Sequence, residues 1–169
     1  MSKRWLPLGW KLMVAFGFFY VALGVLVPFQ SYFALPAQPM IVFGPVDEKF
    51  TGLSWGNIMS FSPALGSWMV LSMVSMCGMM IIGGVLTVSI ARHAYRNGER
   101  WAWRALLVAN LLSLAYYIFF IGGFHAARGI YFWNNYPGSS GFGADLVVVI
   151  TLIWLFLGLW LPRRELKSS

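Results

Sequence analysis

The chain has 169 residues, 59% of them from the set Ala, Val, Ile, Leu, Met, Phe, Trp, Tyr and Cys, and only 10% charged. Soluble domains carry about 45–50% apolar and about 25% charged residues, so one small core cannot absorb this surplus. Disorder, a collagen repeat and a disulfide scaffold are excluded too, since Cys77 is the sole cysteine.

A hydrocarbon core about 30 Å thick needs about 20 apolar helical residues. Four stretches reach or approach that length, at about 12–33, 65–91, 105–124 and 144–161, and none has a charge in its middle. The fold expected is all-α, a single polytopic domain built as a four-transmembrane-helix bundle. The net charge of +7 comes from 12 basic and 5 acidic residues, and ten of the basic ones fall in three regions. These are the start (Lys3, Arg4, Lys11), the link between spans two and three (Arg92, Arg96, Arg100, Arg104) and the tail (Arg163, Arg164, Lys167). The opposite side holds only Lys49 and Arg128. This bias puts both termini in the cytoplasm and uses the basic residues for topology, with no role for nucleic acid.

In the first span Gly17 and Gly24 stand seven apart, and Pro28 deprives the Gly24 carbonyl of its helical donor, kinking the helix or marking its end. The run is long for a signal peptide, and Ala34-Leu35-Pro36-Ala37 is a poor cleavage site, so the span is expected to be retained. In the first outer segment, about 34–64, Pro36, Pro39 and Pro45 should break up any regular element around the cluster Asp47-Glu48-Lys49. Ser54 is placed to cap a short surface helix that turns Trp55, Ile58, Met59 and Phe61 toward lipid or bundle.

Ser62-Pro63 opens span two with a cap and a proline at a position that needs no N–H. Met69, Met73, Met76 and Met80 share one face of it beside Cys77. Soft sulfur donors suit Cu(I), and adaptable packing accounts for the same pattern. Ser72, Ser75, Gly78, Gly83, Gly84 and Ser89 let another helix approach closely, so spans one and two should form the interior contact. Asn97-Gly98 then closes the helix in a left-handed stop. The inner link, about 92–104, presents Arg92, His93, Arg96, Arg100 and Arg104 to anionic lipid headgroups, unless these residues serve topology alone.

Span three offers Asn110 and Ser113. Asn110 is a candidate ligand contact or a hydrogen bond to a neighbouring helix. No span buries an acid or a base, which argues against a proton-coupled pump. The second outer segment, about 125–143, begins with His125 and Arg128, and Asp145 opens span four. With Asp47 and Glu48 they compose a candidate polar site, His125 as acid or base and Arg128 as anion clamp. The alternative is that Asp145 serves the helix N-terminus and pairs with Arg128. His93 and His125 lie at opposite ends of the membrane and cannot share one haem or metal. Trp5, Trp10, Trp101, Trp103 and Trp160 form one aromatic belt, and Trp55, Trp68 and Trp133 the other.

Two segments, Gly98-Glu99-Arg100-Trp101-Ala102-Trp103 and Thr51-Gly52-Leu53-Ser54-Trp55 followed by Ser62-Pro63, together resemble the small four-helix membrane proteins grouped as DoxX-like. The resemblance implies a four-helix bundle. Some members of that group are linked to quinone-dependent oxidoreductases, but it transfers no catalytic residue and no cofactor to this chain. Three functions are therefore expected. The first is a non-catalytic membrane subunit or accessory protein that packs against other chains or itself. The second is a binder of a lipid, quinone or other apolar molecule, with an enzymatic outer-face site as its extension. The third is a small transport component.

Overall fold

The computed structural model describes residues 5–33, 37–38, 43–130 and 144–167. Every regular element among them is helical. Three helical runs, Leu6–Phe33, Pro63–Asn97 and Arg100–Ala126, are long and apolar enough to cross a membrane, judged by length and composition. We number the α-helices α1 (Leu6–Phe33), α2 (Pro45–Thr51), α3 (Trp55–Phe61), α4 (Pro63–His93), α5 (Arg100–Tyr116), α6 (Gly122–Ala126) and α7 (Ala144–Leu155). A π turn at Tyr117–Ile121 joins α5 to α6. After α7, a second π turn at Phe156–Trp160 and a 3-10 segment at Leu161–Glu165 keep the backbone helical. The stretch expected as the fourth span falls in these last three elements.

The main packing is between α1 and α4, which run antiparallel. Both helices are apolar on every side, so side-chain size alone marks the seam. A Cβ on Gly17 would stand 2.7 Å from the Gly84 carbonyl oxygen, and one on Gly84 would stand 2.6 Å from that of Gly17. One heptad along, a Cβ on Gly24 would meet the Cys77 carbonyl oxygen at 2.9 Å. Buried positions follow this repeat of seven: Gly17, Gly24 and Ser31 on α1, and Val70, Cys77, Gly84 and Ala91 on α4. Such spacing keeps one stripe facing its partner along two helices in a left-handed crossing. The expected contact between spans one and two is present, but through a narrower set of residues. Gly78 and Gly83 have open space around them. Ser72 and Ser75 bond to the carbonyls of Trp68 and Ser72 on their own helix.

A second core closes one end of the bundle, around Met13, Phe16, Tyr95, Leu106 and Leu159. Gly98, with φ of 80°, turns the chain from α4 into α5, as the Asn97-Gly98 pair leads one to expect. The Tyr95 hydroxyl donates to the Gly158 carbonyl at 2.7 Å. Four residues beyond Gly158 stands Pro162, which has no N–H to offer that carbonyl. Trp103 Nε1 donates to the Leu159 carbonyl at 2.8 Å, and Trp154 Nε1 to that of Leu12 at 2.7 Å. Glu165 accepts from the backbone N–H groups of Trp5 and Leu6 and so caps α1, whose first N–H groups have no helical partner. Lys167 N–H donates to the Gly98 carbonyl at 2.9 Å. The start of α1, the α4–α5 turn and the final segment thus meet at one place, called here the basic end.

At the opposite end the prolines do not break all regular structure. Pro45 starts α2, at a helix position where its missing N–H costs nothing, and Asp47 Oδ2 accepts from Gly44 N–H at 2.8 Å. The cluster Asp47-Glu48-Lys49 is therefore helical. Ser54 caps α3 and Ser62 caps α4, as expected, each accepting from the N–H three residues on. Trp55 and Ile58 pack inward with Phe43 and Val70, Met59 is half-buried, and Phe61 is 85% exposed. α1 continues through Pro28 to Phe33.

Candidate functional site

The polar residues gather at the two ends, and each end has its own construction. At the far end α2 reaches across to the end of α6. The Phe50 ring lies 5.2 Å from the His125 ring, and the Arg128 guanidinium carbon lies 5.3 Å from the centre of the same phenyl ring. Gly129, at φ of 71°, turns the chain directly after Arg128. Burial pushes the Asp47 carboxyl up from its ordinary range, while the Gly44 N–H and the charge of His125 pull the other way. Glu48 accepts from Gln38 Nε2 at 3.0 Å, and the same amide donates to the Phe43 carbonyl at 3.1 Å.

The predicted polar cluster is thus brought together in part. The Phe50 ring brings His125 and Arg128 together, and Asp47 is near enough to feel the charge of His125. Asp145 lies in the first turn of α7, but its side chain is outside the described residues, as is Trp133. A half-buried imidazole and an exposed guanidinium against a phenyl face can hold an anion. Phe50 was not legible as a site residue; its only signal was an aromatic side chain adjoining the charged triplet.

At the basic end Arg92, Arg96, Arg100 and Arg104 are all exposed around the bundle, together with Lys11, Arg163, Arg164 and Lys167. Several lean on the aromatic belt. Arg96 stands 5.4 Å and Lys11 5.9 Å from the centre of the Trp10 ring, and Arg163 lies 3.8 Å from that of Trp160. A long cationic side chain laid on an indole keeps its head at the polar boundary. His93 is exposed, and its Nδ1 lies 2.9 Å from the Ser89 carbonyl oxygen one turn back. The acids here have local partners: Glu99 accepts from Trp101 Nε1, and Glu165 caps α1.

The remaining candidates lie between the ends. Asn110 Nδ2 donates to the Leu106 carbonyl of its own helix at 2.7 Å, and its side chain is half-buried. Of the sulfur stripe, Cys77 faces the α1 seam and its thiol bonds to the Met73 carbonyl. Met69 packs beside the Trp55 cluster, Met80 is half-buried, and Met73 and Met76 are exposed. The stripe is therefore spread over more than one environment. Among the described residues no group of three or more His, Cys, Asp or Glu is placed to hold a metal.

Compared with known proteins, the chain matches no family model, no curated protein and no solved structure.

Proposed function

We propose that this chain is a non-catalytic integral membrane subunit, crossing the bilayer four times, that packs against other membrane chains through its third crossing. The observation that carries this reading is the exposure of α5 and α6. Ala102 and Leu106 are buried at the basic end, yet from Leu107 to Phe124 only Gly122 is buried among the described residues. Leu111, Leu112, Phe119 and Phe120 all point away from the rest of the chain. Asn110 and Ser113 lie on the same stretch, as does a π turn, a distortion often found at functional positions. A helix that its own bundle leaves so bare, with polar groups along it, suits a partner helix better than hydrocarbon alone.

Four crossings agree with the meeting of Trp5, Gly98 and Lys167 at one end, because an even number returns the chain to its starting side. The basic residues set that end in the cytoplasm, where Arg92, His93, Arg96, Arg100 and Arg104 face anionic headgroups. The DoxX-like resemblance fits a bundle of this size. In this reading the Phe50–His125–Arg128 cluster docks α2 onto α6.

Native mass spectrometry after gentle extraction from its own membrane tests the proposal. The expected result is an assembly heavier than one 19.0 kDa chain, with other polypeptides or further copies in fixed ratio. A lone chain that keeps its full stability overturns it.

A further inference from the structure

A fold that brings two cations to one ring sets like charges side by side, which costs energy until an anion joins them. The Trp10 ring is such a place. Lys11 Nζ lies 5.9 Å and the Arg96 guanidinium carbon 5.4 Å from its centre. Lys11 is the neighbour of Trp10 in the chain, but Arg96 comes from the α4–α5 turn, so tertiary structure makes the pair. Arg163 reaches the Trp160 ring from only three residues along the chain, a purely local contact.

Both sides of the pair stand on fixed backbone. Trp10 follows Gly9, whose Cβ would stand 3.0 Å from Tyr95 Oη and 2.5 Å from Pro162 Cγ, so α1 lies directly on the turn. Arg96 is held between two anchored neighbours. Tyr95 is fully buried and bonded to the Gly158 carbonyl, and Asn97 Nδ2 donates to the His93 carbonyl at 2.7 Å. The cationic residues themselves are exposed. The acids at this end are engaged by the Trp101 indole and by the start of α1.

The negative oxygens of a phosphate ester accept from an ammonium and from the fork of a guanidinium at once. An indole belongs at the level where headgroups lie. From Trp10 and Lys11 toward the bilayer, α1 continues with the half-buried Val14 and with Phe18, 55% exposed, an apolar bed for an acyl chain. We propose that Lys11 and Arg96, converging on Trp10, bind one phosphate ester, supplied by the headgroup of an anionic phospholipid. This rests on the reading of the basic end as facing headgroups and names a single seat within it. Inorganic phosphate offers the same oxygens, so the test must separate the two sources.

The full chain in detergent is titrated with phosphatidylglycerol, with phosphatidylcholine of the same acyl chains, and with inorganic phosphate, and adducts are read by native mass spectrometry. Phosphatidylglycerol should saturate one adduct, more tightly than phosphatidylcholine, and inorganic phosphate should give none. Lys11→Gln and Arg96→Gln should each weaken that adduct about tenfold. Arg163→Gln, equal in charge and also laid on an indole, should leave it nearly unchanged. All three positions are exposed, and the unfolding midpoint checks that each variant folds. Equal losses in the three variants overturn the proposal in favour of a diffuse basic surface, with the headgroup reading intact. Equal binding of the two lipids overturns the seat and that reading together. A phosphate adduct without a lipid adduct makes the source soluble and overturns the lipid assignment. A lipid adduct unchanged by Lys11→Gln and Arg96→Gln lies elsewhere and overturns the proposal as well.

Discussion

One phenol joins the two halves of the basic end. Tyr95 sits in the α4–α5 turn, and its hydroxyl reaches a carbonyl 63 residues later in the chain. Tyr95→Phe keeps the ring and removes only the donor, so it should lower stability by about 1–2 kcal/mol. The unfolding midpoint in mild detergent checks this. Nothing in the sequence marked Tyr95 beyond its place among arginines, because a long-range bond to a backbone oxygen has no local pattern. Glu165 had a faint signal, as the lone acid in a basic tail. Asp47 was legible as a candidate, but its bond to Gly44 was not, since the prolines around it read as breakers. Its carboxyl is pushed up by burial, so the folded form holds the proton more tightly than the unfolded one. The docking of α2 is then firmest in acid and weakens as pH rises through the range just above ordinary carboxylate values. Hydrogen exchange of the α2 amides between pH 4 and 7 should follow that profile. Asp47→Asn should flatten it, because the amide oxygen still accepts from Gly44.

The α1–α4 seam tolerates no side chain at its centre. Gly84→Leu would drive a Cβ and three further carbons into the Gly17 carbonyl, and overpacking of this kind costs about 1–3 kcal/mol or more. Gly78→Leu, on the same helix but in open space, should leave the unfolding midpoint nearly unchanged. Comparing the two separates helix contact from helix propensity. The spacing of Gly17 and Gly24 exposed one side of this seam in the sequence. The other side was hidden, because α4 carries small residues on several faces and its true partners include Cys77 and Ala91. Composition tells which residues are small; only the register tells which of them meet. The caps at Ser54, Ser62 and Gly98 were readable for the opposite reason, each being a local rule satisfied within a few residues.

For the whole molecule the test is topology. In a Cys77→Ala background, Lys49→Cys should react with a membrane-impermeant thiol reagent added outside intact cells. Arg100→Cys and Lys167→Cys should react only after the membrane is opened. Labelling of Lys167→Cys from outside while Arg100→Cys stays protected would mean an odd number of crossings. The basic end makes a further prediction. Replacing Arg92, Arg96, Arg100 and Arg104 with Gln should reduce retention of anionic lipid during purification, at about 1 kcal/mol per residue near such a surface. Lipid phosphorus per protein checks this. The long apolar helices were legible from composition, and the gathering of basic residues at one end from the charge pattern. The bareness of α5 and α6 was not, because a uniformly apolar helix carries no record of what touches it.

The cap on α1 has a consequence for how the protein is made. Its acceptor, Glu165, lies 160 residues after the Trp5 amide that it serves. At about 5–20 residues per second, synthesis leaves the first helix without its clasp for roughly ten to thirty seconds. Until then Trp5 and Leu6 must find water or lipid for their amides. The bundle is consequently latched last at the place where it was begun.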